Sequence, residues 1–134
     1  MARQFLLEIV TPERNFFCGR VEELIFSSIT GEMEVMYHTL PMVAVVVPGL
    51  ITMVQNGRRM EAACSDGFIR VGDKVTLVVQ SCNWPYEIDE SETNKEIKAL
   101  NARIKKAQSM KEYKMAKAQL AIQLANLKVK DTKY

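Results

Sequence analysis

Histidine occurs once and cysteine three times in the 134 residues, and each scarcity removes a class of chemistry. With His38 alone and no Cys-x-x-Cys pair, a zinc site lacks its ligands. Cys18, Cys64 and Cys82, odd in number and widely spaced, do not make a disulfide framework. Each is expected as a small buried apolar side chain. The six glycines are dispersed as single turn residues, so a phosphate-cradling loop is missing. No apolar run approaches the ~20 residues of a membrane span. The longest, Leu40 to Met53, is broken by Pro48 and Gly49. The N-terminus enters a strand-like alternation without an apolar signal core, which predicts a protein that stays in the cytoplasm. Catalytic groups are thin as well. His38 falls in a loop-like stretch, no motif supports a Cys82–His38 nucleophile pair, and Glu22-Glu23 and Glu32 with Glu34 lie in strand or turn contexts typical of solvated faces. Enzymatic activity is not expected.

What is present divides the chain in two. From Gln4 to about Gln80 the apolar pattern has period two, with Phe5, Leu7 and Ile9 facing one way and β-branched residues dense in every segment. Turn punctuation recurs at Thr11-Pro12-Glu13, Cys18-Gly19, Thr30-Gly31, Pro48-Gly49, Asn56-Gly57 and Gly72-Asp73, the spacing of an all-β sandwich. Asn56-Gly57 predicts a two-residue hairpin turn, since both central positions need positive φ, and Gly72-Asp73 is expected to do similar work. The expected body is eight to ten strands in two antiparallel sheets, over residues 1–84.

After Trp84-Pro85 the texture changes. Beyond Asp89 there is neither Gly nor Pro, and Ala, Lys, Leu, Gln and Glu dominate. Residues 85–88 read as a linker and 89–134 as an antiparallel pair of helices. Asp89 and Ser91 offer N-cap oxygens, and Ile97, Leu100, Ile104 and Ala107 define one face of the first helix. Ser109-Met110-Lys111-Glu112 is a capping-box sequence, and Tyr113, Ala116, Leu120, Leu124 and Leu127 are expected on one side of the second helix. Narrow, alanine-rich seams make this hairpin marginal by itself, a candidate moving part. Charge follows the same division: residues 1–84 carry seven Lys/Arg and nine Asp/Glu, whereas residues 94–134 carry eleven and three. The basic hairpin suits a solvated lysine face or an acidic protein partner, and without aromatic interleaving beyond Tyr113 it does not suit base stacking.

A two-sheet body followed by a basic helical hairpin, at this length, resembles the epsilon subunit of the F-type ATP synthase of bacteria and chloroplasts. The likeness runs through Glu8-Ile9-Val10-Thr11-Pro12-Glu13, Gly19-Arg20-Val21-Glu22-Glu23-Leu24, Gly31-Glu32-Met33, Pro41-Met42 and Pro48-Gly49-Leu50-Ile51. It continues through Ser65-Asp66-Gly67-Phe68-Ile69-Arg70-Val71, Glu87-Ile88-Asp89, and Glu112-Tyr113-Lys114 to Ala118-Gln119-Leu120-Ala121.

The resemblance implies a non-catalytic central-stalk rotor subunit that couples ion-driven rotation of the c-subunit ring to the catalytic head. Its implied partners are the gamma subunit, the c-ring and, through the hairpin, the catalytic beta subunits; neither nucleic acid nor direct membrane contact is implied. The implied place is peripheral, on the cytoplasmic face of the bacterial plasma membrane. Carried over by position, the ring and gamma contact comprises Gly31, Glu32, Thr39, Leu40, Pro41 and Met42, with Glu32 the main polar contact. Glu34, Tyr37, His38 and Thr39 replace the Gly, Pro, Gly and His usual there. The basic hairpin, a candidate brake on ATP hydrolysis, would act through Arg103, Lys105, Lys106, Lys111, Lys114, Lys117 and Lys128. Some members bind ATP through an Ile/Leu-Asp-x-x-Arg-Ala segment, of which this chain keeps Ile88-Asp89 and has Glu92-Thr93 at the last two positions. No cofactor is therefore expected. The competing reading is a free-standing β-sandwich module whose basic hairpin binds nucleic acid or a helical protein.

Overall fold

A computed structural model describes residues 3–106 and 110–131. Ten strands precede the helices: β1 (Phe5–Val10), β2 (Asn15–Val21), β3 (Glu23–Ser28), β4 (Gly31–Val35), β5 (Met42–Val46), β6 (Gly49–Gln55), β7 (Arg58–Cys64), β8 (Gly67–Val71), β9 (Val75–Val79) and β10 (Cys82–Asn83). A 3-10 turn (Pro85–Glu87) leads to α1 (Glu90–Lys106) and α2 (Met110–Asp131). The strands form one hydrogen-bonded path, β10-β7-β6-β3-β5-β8-β9-β1-β2, with β4 added to β3. Between β3 and β5 the path is held only by Ser28 opposite Val46, and there the sheet folds over into two layers. The layers are antiparallel as expected, with one exception: β1 pairs parallel with β9, Leu7 opposite Val75. Parallel pairing places strands far apart in sequence side by side, which period-two alternation does not encode.

The inward residues follow the alternation. Leu7, Ile9, Leu24, Phe26, Ile51, Met53, Ile69 and Leu77 are fully buried between the layers. Asn56 and Gly57 both have positive φ, 52° and 76°, giving the expected β6–β7 turn. The β8–β9 connection differs: it takes three residues, with the Gly72 N–H donating to Lys74 O at 3.1 Å and no positive φ. The expected burial of cysteine holds for Cys64 and Cys82, whereas Cys18 is exposed. On β2, Cys18 lies opposite Glu8, in the outward-facing phase of the strand.

Asp89 caps α1, its Oδ1 accepting the N–H groups of Ser91 at 2.9 Å and Glu92 at 3.3 Å. Ser91 is the second residue of α1 and not its cap. The capping box at Ser109 and the α1 contact of Ala107 lie outside the described residues. In α2 the buried positions are Ala116, Ala125 and Val129, while Tyr113 and Leu124 of the expected stripe are exposed. The reason is geometric, because α2 has two neighbours, α1 and the outer face of β6 and β7, and must divide its apolar residues between them.

Candidate functional site: two outer faces and a latch

The two layers carry opposite outer faces. Over β6 and β7 lies α2, where Val129 packs against Ala63, Ile88 and Leu50 in a cluster separate from the main core. Among the described residues no helix lies over the other layer. There the register sets Val45, Phe68, Val78 and Val10 in one row and Val43, Arg70, Thr76 and Glu8 in the next. Val43 is 72% exposed, Val45 52% and Phe68 49%. Three large apolar side chains side by side on open sheet are the kind of patch that marks a docking surface. Strand β5, Met-Val-Ala-Val-Val, is apolar on both faces, and that was the sequence signal for it: an outer face as apolar as the inner one needs a partner.

The six residues assigned to one contact loop separate into two places. Gly31 and Glu32 begin β4, whereas Thr39, Leu40, Pro41 and Met42 follow its end; five residues at ~3.3 Å each put about 15 Å between them. Glu32 lines a groove beneath α2 together with Arg59, Glu61 and Lys128. Thr39 instead closes the β4–β5 loop, its hydroxyl accepting the Met36 N–H at 2.8 Å while its own N–H donates to Met36 O at 3.0 Å. Beside it Tyr37 is stacked edge-on with His38 and lies under the Arg3 guanidinium. The loop borders a cleft of about 540 Å³ that also holds Arg20, Arg70 and Lys74. Of these, Lys74 reaches Glu8 at 3.4 Å.

The sheet margin facing α2 is acidic. Burial, and then the Glu34 carboxylate beside it, hold Glu23 above the ordinary glutamate range. Glu61 is buried with one oxygen 3.4 Å from Arg59 and its Oε2 without a hydrogen-bond partner. Opposing this margin, Lys128 lies in the groove and Lys105, Lys106, Lys111, Lys114 and Lys117 are exposed along the hairpin. Lys117 sits over the Tyr113 ring, and Arg103 ties the helices together by donating to Gln119 Oε1 at 3.2 Å. Among the described residues no group of His, Cys, Asp and Glu could hold a metal ion.

A latch holds the linker to the body. Arg14, in the β1–β2 turn, donates to both Glu87 oxygens at 2.7 and 2.8 Å and to Cys82 O at 3.1 Å. Glu87 Oε1 also accepts the Trp84 N–H at 2.9 Å, and Trp84 stacks on Phe16 with ring centroids 4.5 Å apart. Lys130 of α2 donates to Pro85 O at 3.3 Å. The Arg14 bonds, and then the Trp84 N–H, hold the Glu87 carboxyl below the ordinary glutamate range, against its burial. A lowered pKa means the latch contributes fully above the unfolded glutamate value and is lost as pH falls through the lower folded one. With Arg14 42% exposed, screening limits this contribution to ~1 kcal/mol or less. The single tryptophan reports it: Trp84 fluorescence should change on acidification through that window, and Glu87→Gln should show the altered signal already at neutral pH. A signal in the variant equal to the parent's at neutral pH would remove the latch.

Body, open face, latched linker and docked hairpin together define a class: a β-sandwich protein carrying a C-terminal helical hairpin on one of its two layers. Residues 4–85 match the model of the family described as ATP synthase, Delta/Epsilon chain, beta-sandwich domain. The chain is 35% identical over 124 residues to the ATP synthase epsilon chain of Ruminiclostridium cellulolyticum, covering 92% of each. It is 31% identical over 131 residues to that of Caldanaerobacter subterraneus subsp. tengcongensis, covering 96% of this chain and 95% of the other. The fold is shared with a chain of the Euglena gracilis mitochondrial ATP synthase, at TM-score 0.80 and 19% identity over 93% of this chain and 79% of that one. This chain belongs to the ATP synthase epsilon-chain family.

Proposed function

We propose that the open face of β5, β8, β9 and β1 grips the gamma subunit of the central stalk. The loop 36–42 then seats toward the c-subunit ring, so that rotation of the ring is carried to the catalytic head. The observation that supports this is the exposed apolar row Val43, Val45 and Phe68, lying on the layer that the hairpin leaves bare. In this reading residues 1–84 are the clamp, 85–88 the hinge and 89–134 a movable hairpin. When undocked, its basic residues meet acidic surface on the catalytic beta subunits and slow ATP hydrolysis. The protein works as a peripheral component at the cytoplasmic face of the plasma membrane; among the described residues no helix is long and apolar enough to cross a membrane.

Co-purification tests the clamp. Val45→Glu combined with Phe68→Glu replaces exposed side chains, so the fold should persist while two charges enter the center of a desolvated contact. Losing apolar anchors there costs ~2 kcal/mol or more, about thirtyfold in affinity for gamma. Retention of gamma by the folded double variant would defeat the proposal, as would salt-sensitive retention of the parent on nucleic acid in place of gamma. Deleting residues 89–134 should leave gamma binding intact and raise hydrolysis; unchanged hydrolysis would remove the brake and keep the clamp.

Nucleotide binding is expected to be weak or absent. The cleft beside Ile88 and Asp89 has a volume of about 200 Å³ and is lined by Glu87, Asp89, Glu92 and Glu96, so phosphate would meet carboxylates where it requires guanidinium groups. Calorimetry on the purified chain should give no micromolar ATP isotherm.

A further inference from the structure

Cys64 and Cys82 are directly opposed across the β7–β10 pair, at the strand from which the linker departs. The ladder continues with the Ser65 N–H donating to Ser81 O at 3.0 Å, so the bonds flank the cysteine pair and do not join it. Opposed residues in such a non-hydrogen-bonded pair have Cα atoms about 4.5 Å apart and side chains on one face, inside the range a disulfide spans. Both side chains face the main core and both are free thiols. We propose that Cys64 and Cys82 form a redox-modifiable dithiol that a small-molecule disulfide, such as oxidised glutathione, converts to a cross-strand bond fixing β10 to β7.

The closed fold protects this site. Burial pushes the Cys64 thiol up to about 12 and the Cys82 thiol higher, so thiolate is scarce while β10 is seated. Strand β10 is two residues long and lies at the sheet edge, bonded on one side only and held from outside by Arg14 on Cys82 O. When it lifts, Cys82 reaches solvent, loses its proton and attacks one sulfur of the oxidant, which expels a thiolate and leaves a mixed disulfide at Cys82. Cys64, uncovered by the same opening, loses its proton to solvent and attacks the Cys82 sulfur before β10 is fully seated, expelling the second thiolate. Two protein thiols are oxidised, one oxidant disulfide is reduced to two thiols, and the two protons released end on those thiols. The bond encloses β8 and β9, and afterwards any hairpin movement must begin beyond Asn83.

The test uses the full chain carrying Cys18→Ser, which removes an exposed thiol outside the site. After incubation with oxidised glutathione at mildly alkaline pH, alkylation and non-reducing peptide mapping should give one linked Cys64–Cys82 peptide pair, lighter by two hydrogens. It should come from monomeric protein, vanish with dithiothreitol and accompany a raised melting temperature. Adding Arg14→Ala should speed its formation several-fold, because the edge strand then lifts more often. Free thiols at both positions, separate glutathione adducts, or linkage between two chains would each overturn the proposal. A rate unmoved by Arg14→Ala would overturn its route through strand opening.

Discussion

Val129→Asp is expected to release the helical hairpin from the body while the ten-stranded sandwich stays folded. Val129 is fully buried, and its partners Ala63, Ile88 and Leu50 form a cluster distinct from the core between the sheets. Burying a valine contributes ~1.5–3 kcal/mol, and a carboxylate among apolar neighbours adds a desolvation cost that the helix escapes by leaving. Docked and released positions separated by a few kcal/mol would then exchange populations, a shift of about a hundredfold or more. Trypsin should cut between Lys111 and Lys130 at least tenfold faster, while the strand segment stays protected and its thermal transition remains. Unchanged protection of the α2 lysines would mean that Val129 does not anchor the hairpin.

Gly67→Ala is expected to unfold the body itself. At the start of β8, Gly67 pairs with Val46 on one side and Val79 on the other. A Cβ there would run into the Val78 carbonyl oxygen and come within 2.7 Å of the Val79 Cα. Both obstacles are backbone, so relief requires breaking the β8–β9 ladder rather than turning a side chain. A loss of ~4 kcal/mol or more would remove much of the ~5–15 kcal/mol that holds a domain of this size. Gly72→Ala is the control: its Cβ would meet nothing nearer than Lys74 O at 3.8 Å, and stability should be nearly unchanged. Urea denaturation of both variants decides the matter. A Gly67→Ala midpoint matching that of Gly72→Ala would show that the sheets yield where the geometry says they cannot.

These two positions were unequally legible. Gly67 lies in the Ser65–Val71 segment that carries the family likeness, but its spatial reason is the carbonyl of a strand eleven residues later, which local pattern does not display. Val129 is one β-branched residue near the end of a lysine-rich helix, and helical periodicity placed Leu124 on the apolar side instead, where it is exposed. The exposed face was visible in part as the apolar run of β5. Arg14 and Glu87 were not visible as partners, because 73 residues separate them and each resembles any surface charge.

The sequence by itself determined the elements and their inward faces. Period-two alternation, the Asn56-Gly57 turn and the change to helix formers after Asp89 act over a few neighbouring residues, where steric preference and amphipathic phase are decided. Only the tertiary structure decided that β1 runs parallel to β9, that Glu32 and Thr39 belong to different surfaces, and that Cys64 meets Cys82. Those outcomes depend on which distant segments share a layer, and that is settled by how the two sheets close over a common core.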